Sequence, residues 1–310
     1  MWPDASGYEV PMSQLRRGDA SPDAPVPTKK SGTGGPDHPL ELSKNDWKMT
    51  LKRTMKEVKD DRITLVAAGM AFYWFLAVFP ALIAAVGVVD LLGLGQQMLE
   101  SINQAIGSTI PGGAAAILTT TIEAAQDAPR RTSLVAAIIG VTLALFGATA
   151  GMVALQAGLD VAYDVAEDRK FFKKRAYALL LVVATGLLIA IPSVFFAAGG
   201  LIWSILGWLT LVAAIITLFA VFYYLGPNRE KPDWKWVSPG GLLGAFIFLL
   251  VSGGFSIYVG NFARYGETYG TFAGVVILLF WMYLSAIAIL VGGELNSELE
   301  RQTAMREGRA

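Results

Sequence analysis

The sequence predicts an all-α, polytopic membrane protein with six transmembrane helices, both termini on the inner side and amphipathic helices at both membrane faces. The 310 residues are 54% hydrophobic, with a mean hydropathy of +0.50. Charged residues are dense before residue 63 and sparse after it, which leaves uncharged runs long enough to cross a hydrocarbon core of about 30 Å. Basic residues then fall mainly in alternate connecting segments, and this asymmetry predicts the orientation.

The polar N-terminal region divides into a tail and a helix. Residues 1–43 are rich in proline, glycine and serine, a composition typical of a disordered cytoplasmic tail. Ser43 and Asp46 stand at capping-box spacing, which predicts the start of a helix over 44–62. Its apolar residues recur at helical spacing among lysines: Trp47, Leu51, Met55 and Val58. We expect an amphipathic interfacial helix, either lying on an anionic inner leaflet or packed as a lid over the spans.

Six apolar segments predict a membrane domain over residues 63–293. The predicted spans are 63–92, 132–159, 176–199, 201–225, 239–259 and 271–293. Gly199-Gly200 predicts a tight turn inside one long uncharged run. Pro80 and Pro192 predict kinks, and the first span is long enough that a break at Pro80 is also expected.

The segment 95–131 is polar but has helical periodicity on either side of Pro111-Gly112-Gly113. It predicts two short amphipathic helices on or over the outer leaflet, and the less favoured alternative is a re-entrant hairpin inside a protein-lined cavity. In the second span, Gly147 and Gly151 belong to a glycine face. That face predicts close helix packing, with a glycine-lined pathway as the alternative.

The distribution of basic residues predicts an inner N-terminus and an inner C-terminal tail at 294–310. Of 25 Lys and Arg residues, 22 fall in the segments assigned to the inside. The three on the outer side are Arg130, Arg131 and Arg264. Short cytoplasmic loops retain positive charge during insertion, so this bias sets the topology.

Polar groups near the ends of the spans are the candidates for a substrate pathway, because such groups are expensive in lipid unless they face protein or water. The candidates are Asp90, Gln156, Asp160, Arg264, Tyr265, Tyr269, Glu294 and Asn296. The alternative for Asp90 is interfacial solvation, and for Gln156 it is a hydrogen bond between helices. Glu294 and Glu298 are separated by four residues, and like charges at this spacing normally mark a solvated face.

Several kinds of chemistry are disfavoured by composition. The chain has no cysteine and one histidine, His38, which falls in the predicted tail. It contains no phosphate-binding G-x-x-x-x-G-K-[ST] loop, so no ATPase in cis is expected. Its formal net charge of zero gives no field that would steer nucleic acid. We therefore expect no catalytic residues, no metal site, no cofactor and no nucleic-acid partner.

Three stretches carry a family resemblance. They are AAGMAFYWFL at 67–76, GLDVAYD at 158–164, and a series from Tyr258 through Trp281 to the GELN at 293–296. Together they resemble the YihY/BrkB family of six-span bacterial inner-membrane proteins, some of which carry a ribonuclease BN label. Asp160 stands where many members have Asn. The resemblance implies the fold and a multi-pass location in the bacterial inner membrane, but no settled activity.

The function expected from these features is a transporter or translocase of a lipid or amphiphilic solute, working by alternating access near the first, second and sixth spans. Expected partners are membrane lipids and such a substrate, and a homo-oligomer remains open. The alternative is a membrane scaffold or envelope-assembly factor without transport. An enzyme, including a ribonuclease, is disfavoured because only carboxylates would be available for acid-base chemistry.

Overall fold

A computed structural model of the chain describes residues 42–91, 95–109, 112–126, 134–229, 234–261 and 271–306, and over these ranges the protein is helical with short turns and no strand. The helices are α1 Lys44–Asp60, α2 Ile63–Leu91, α3 Gly95–Thr109, α4 Gly112–Gln126, α5 Leu134–Ala162, α6 Phe171–Ala198, α7 Leu201–Leu225, α8 Trp234–Asn261 and α9 Thr271–Arg306. The predicted all-α class is confirmed.

Five helices in the described ranges are long and apolar enough to span a membrane. They lie at Ile63–Ile83, Phe171–Ala198, Leu201–Leu225, Pro239–Val259 and Ala273–Gln302. The predicted second span coincides with α5, which is uncharged up to Asp160. The structure is thus consistent with six spans, while the count of six and the orientation stay predictions.

The connection between α6 and α7 follows the predicted glycine turn. Gly199 has φ +68° and Gly200 has φ +85°, values that residues with a side chain rarely adopt. The two long helices can therefore reverse direction over two residues. Both helices that contain the predicted kinks are continuous through the proline: α2 through Pro80 and α6 through Pro192. The expected break at Pro80 is absent.

The interfacial helix α1 begins at the predicted capping box. The Ser43 hydroxyl accepts a hydrogen bond from the Asp46 N–H at 3.2 Å, and the Asp46 carboxylate accepts from the Ser43 N–H at 3.1 Å. The buried face differs from the predicted apolar stripe, because Asp46, Thr50 and Thr54 are buried while Leu51 and Met55 are 47% and 68% exposed. Polar contacts to α9 hold this face, and Trp47 and Val58 of the predicted stripe pack beside it against buried residues.

Those contacts centre on Gln302 of α9. Its side-chain amide donates to the Asp46 carboxylate at 3.0 Å and accepts from Arg53 at 2.9 Å. The lid-like packing of α1 is therefore present. The opposite face of α1 is exposed and carries five lysines, Lys44, Lys48, Lys52, Lys56 and Lys59; we call it the lysine face.

The main core lies between α2, α5, α7, α8 and α9. The glycine face of α5 packs directly on α2: a Cβ at Gly147 would lie 2.6 Å from Pro80, and one at Gly151 would lie 3.2 Å from Ala77. Buried apolar side chains such as Met70 and Leu290 continue the contact inward. The described part of the glycine face thus packs against helices and lines no open pathway.

The α3–α4 hairpin packs inside the bundle. Leu118 of α4 shares a buried cluster with Ala71 of α2 and with Leu278 and Met282 of α9. At 1.5 Å per residue, Ala71 lies about 12 Å along α2 from its first residue, and Met282 about 16 Å along α9 from its first residue. Both positions lie within stretches of α2 and α9 that are long and apolar enough to span a membrane.

The start of α3 and the end of α4 lie beside the C-terminal part of α2. Leu99 and Ile122 form a second cluster with Val86, late in α2. The two helices therefore descend from the level of Val86 towards the level of Ala71. These contacts bury the apolar stripes of both helices against spans and favour the re-entrant alternative, while the position of the hairpin relative to the membrane stays a prediction.

Candidate functional site

A layer of polar side chains lies where the apolar parts of α5, α7 and α9 meet the segment 163–170 and the residues after α7. Four of the predicted candidates, Gln156, Asp160, Glu294 and Asn296, belong to this inner polar layer. Most of its members are buried and joined by hydrogen bonds over long sequence separations. We consider it from α5 towards α9.

Gln156 is fully buried in α5 and is saturated by protein partners. Its amide donates to the Lys174 carbonyl at 3.2 Å, and its oxygen accepts from Arg169 at 3.1 Å. The Arg169 guanidinium also donates to the carbonyls of Gly226 and Pro227 after α7. Desolvation lowers the pKa of Arg169, opposed by the nearby Asp160 carboxylate. Gln156 therefore forms a hydrogen bond between α5 and α6, which is the alternative that sequence analysis gave for it.

Asp160, one residue past the predicted second span, holds the turn after α7. Its carboxylate accepts from the Asn228 N–H at 2.7 Å, and the Asn228 side chain donates to the Glu167 carbonyl at 2.8 Å. Burial raises the pKa of Asp160, although the hydrogen bond from Asn228 acts in the opposite direction. A neutral side chain with an oxygen acceptor could make the same contact.

Arg229 connects three elements in the layer. Its guanidinium forms an ion pair with both oxygens of Glu300 in α9, donates to the Tyr223 carbonyl at 3.1 Å, and lies 4.3 Å from the centre of the Tyr163 ring. Burial raises the pKa of Tyr163, opposed by the positive charge of Arg229. Sequence analysis did not select Arg229, because an arginine after an apolar helix is ordinary at an inner interface.

Asn296 and two glycines hold α8 against α9. The Asn296 oxygen accepts from the Gly240 N–H at 2.8 Å, and the Tyr223 hydroxyl donates to the Ile289 carbonyl at 2.8 Å. A Cβ on Gly240 would collide with the Gly292 carbonyl, and one on Gly292 would collide with the Tyr223 hydroxyl. Glycine is required here because the backbones of α8 and α9 touch. Asn296 thus has a packing role.

Within the inner polar layer, Glu294 and Glu298 are the side chains whose charge and hydrogen-bonding oxygens have the fewest partners. They are 2% and 1% exposed, so the prediction that this pair marks a solvated face is wrong. One oxygen of Glu298 accepts from Arg301 at 2.8 Å, while its other oxygen and Oε1 of Glu294 are buried without a hydrogen-bond partner in the described ranges. The i,i+4 spacing of the two glutamates was visible in the sequence. The sequence did not show that α1 and the segment after α5 cover them.

The charges around the Glu294–Glu298 pair are mostly negative. Arg301 also contacts Asp164 at 2.7 Å and approaches Glu57 of α1 at 3.9 Å. The pair therefore shares one guanidinium with two further carboxylates. Among the described residues no three His, Cys, Asp or Glu side chains are placed to hold a metal ion. The pair thus lies among an excess of carboxylates over guanidinium groups.

The amino-acid sequence of these helices matches one family. Residues 54–310 match the model of the family described as virulence factor BrkB. The chain belongs to the virulence factor BrkB family.

Relatives in this family are named mainly as membrane proteins. The ribonuclease-like protein YfkH of Bacillus subtilis (strain 168) is 28% identical over 253 residues, covering 76% of this chain and 90% of that protein. UPF0761 membrane proteins of Azoarcus sp. (strain BH72) and Nitrosospira multiformis are 29% and 26% identical, covering 77% and 76% of this chain. The chain spans 60% and 57% of those two relatives. No solved structure matches the chain.

Membership in the BrkB family, the membrane-protein names of these relatives and the spanning helices together make the chain a multi-pass bacterial membrane protein. The remaining predicted candidates have side chains outside the described part of the chain. Asp90 is the penultimate residue of α2, and its side chain is outside the described part. Arg264, Tyr265 and Tyr269 also lie outside the described residues. Their assignment to a pathway stays a prediction.

Proposed function

We propose that this BrkB-family protein is a transporter or translocase of a lipid or amphiphilic solute and performs no catalytic chemistry. The observation that carries the proposal is the α3–α4 hairpin, which enters the bundle beside α2 and α9. Helix ends at membrane depth are tolerated where they are buried in protein or line a water-filled cavity. A scaffold does not need a hairpin inserted between its spans. A transporter can use the movement of such a hairpin to open and close a pathway for its substrate.

The polar groups of the hairpin support this interpretation. The three threonines of α4 donate to carbonyls within their own helix, for example Thr121 to Ile117 at 2.8 Å. Their hydroxyl donors are therefore satisfied without water. In α3 the side-chain oxygen of Asn103 is buried and has no hydrogen-bond partner within the described ranges. It is available as an acceptor for a polar ligand group.

An amphiphile fits the surroundings better than a small ion does. The hairpin contacts mostly apolar and aromatic side chains, including Trp74 and Trp281, each of which has its indole N–H engaged within the protein. Charged groups cluster instead at the inner end of α9. A substrate with an apolar body and a polar head would find both environments along α2 and α9.

The test is transport by the purified full chain in liposomes. We expect faster transbilayer movement of labelled lipids, or faster flux of amphiphilic solutes, than in protein-free liposomes. Because the chain has no cysteine, Ala71→Cys and Leu118→Cys can be combined and joined with a short thiol-reactive cross-linker. Cross-linking the hairpin to α2 should stop the accelerated movement.

The two single-cysteine variants, treated identically, are the matched controls and should keep full activity. Rates equal to those of protein-free liposomes across a broad panel of lipids and solutes would refute the proposal. An active protein whose rate is unaffected by cross-linking would remove the hairpin from the mechanism. A stable co-purifying partner in the absence of any flux would favour the scaffold alternative.

A further inference from the structure

The Glu294–Glu298 pair is a group of acidic side chains that the fold buries without adequate compensation. Two carboxylates one helical turn apart are less than 3% exposed, and each has a buried oxygen that lacks a hydrogen-bond donor among the described residues. In a well-satisfied structural site these oxygens would be paired, because an unpaired buried polar atom loses its hydrogen bonds to water without replacing them.

The charged and titratable groups facing the pair come from three elements. Glu298 and Arg301 are on α9 itself, and Glu57 and Arg53 are on α1. Asp164 and the neutral Tyr163, whose hydroxyl is buried, follow α5. Arg53 donates to Gln302, and Arg301 is shared between Glu298 and Asp164. Four carboxylates thus face two guanidinium groups. Within the described residues no cationic side chain pairs with Glu294.

The excess of negative charge limits what the pair can bind. An isolated ionised carboxylate is far more expensive to bury than a neutral carboxylic acid, which also has an O–H to donate. A chelated metal is disfavoured by the absence of a three-ligand cluster in the described ranges. A proton satisfies both requirements, because it neutralises one charge and gives one carboxyl group an O–H donor.

We propose that Glu294 and Glu298 form a proton-binding site at the inner end of α9, with Glu294 carrying the exchangeable proton. Binding forms one O–H bond on a Glu294 oxygen and breaks none in the protein, and release returns the proton to water. For its role in coupling, the inference rests on the proposed transport function. The site itself is independent of any substrate.

The test is infrared difference spectroscopy of the purified protein in liposomes, recorded between acidic and alkaline pH without substrate. We expect a carboxylic acid C=O band at higher wavenumber than that of solvent-exposed acids, since the buried acid has few hydrogen-bond donors around it. The band should shift when the wild-type chain is made with glutamate carrying a ¹³C carboxyl group. This labelled protein needs no substitution, so folding defects cannot affect the result.

Substitutions then assign the band. Glu294→Gln should abolish it, while Glu123→Gln, which changes an exposed carboxylate of α4, should leave it intact. Size-exclusion profiles of the two variants check that both are folded. Absence of a ¹³C-sensitive band of this kind in the wild type would overturn the proposal, and so would its persistence in folded Glu294→Gln. A flux failure with the band present would refute only the transport proposal.

Discussion

Breaking the Arg229–Glu300 ion pair tests whether the inner polar layer holds the bundle together. The two side chains are 8% and 20% exposed, so removing one partner leaves a poorly solvated charge. Such losses cost about 3–5 kcal/mol, and the lost hydrogen bond to the Tyr223 carbonyl adds about 1 kcal/mol. We therefore expect Arg229→Gln to destabilise the protein by about 4–6 kcal/mol.

A double-mutant cycle separates this pair from its surroundings. Glu300→Gln alone should also be destabilising, but in the Arg229→Gln background it should cost little, giving a coupling energy of about 2–3 kcal/mol. Unfolding in detergent can be followed through the eight tryptophans. The control is the Lys174–Asp168 pair, in which Asp168 is 58% exposed, and a coupling below about 1 kcal/mol is expected there. Additive effects of the Arg229 and Glu300 substitutions would refute the reasoning.

Three further outcomes follow from particular contacts. Because burial raises the pKa of Asp160, the folded protein is favoured when this group is neutral, and this advantage is lost as pH rises through the folded-state pKa. Asp160→Asn keeps an acceptor for the Asn228 N–H and should melt above the wild type at neutral pH, with the difference vanishing below the pH at which an unfolded-state aspartate titrates; a constant difference would contradict this. Gly147→Leu should cost about 1–3 kcal/mol because its Cβ would overlap Pro80, whereas Gly186→Leu, with open space around its Cβ, should cost less than 1 kcal/mol in the same unfolding assay. Replacing three lysines of the lysine face with glutamine should reduce the extra thermal stability that nanodiscs of anionic lipid give over zwitterionic ones, and an unchanged difference would exclude contact between this face and the headgroups.

Local signals in the sequence were sufficient for the elements that local chemistry determines. The capping box at Ser43 and the turn at Gly199-Gly200 were predicted because each depends on a few adjacent residues. The apolar lengths of the spans were equally visible. The family resemblance was carried by motifs that now lie in α2, at the end of α5, and in α8 and α9.

Features that depend on distant partners were predicted less well. The buried face of α1 is polar because Gln302, far along the chain, supplies partners for Asp46 and Arg53. Helical periodicity alone favoured the face containing Leu51 and Met55. The packing of the α3–α4 hairpin against α2 and α9 was missed for a related reason: threonines that bond within their own helix still count as polar when only composition is considered.

The basic residues that predict the orientation serve two different physical purposes. Arg169, Arg229 and Arg301 are half-buried or buried and satisfy carbonyls and carboxylates across several helices. The lysines of the lysine face are exposed, with long side chains suited to lipid headgroups. Guanidinium groups suit these positions because their planar fork carries five N–H donors, against three on an ammonium group. Replacing the arginines therefore perturbs the fold, while replacing the lysines perturbs contact with the membrane, and the charge bias in the sequence combines both.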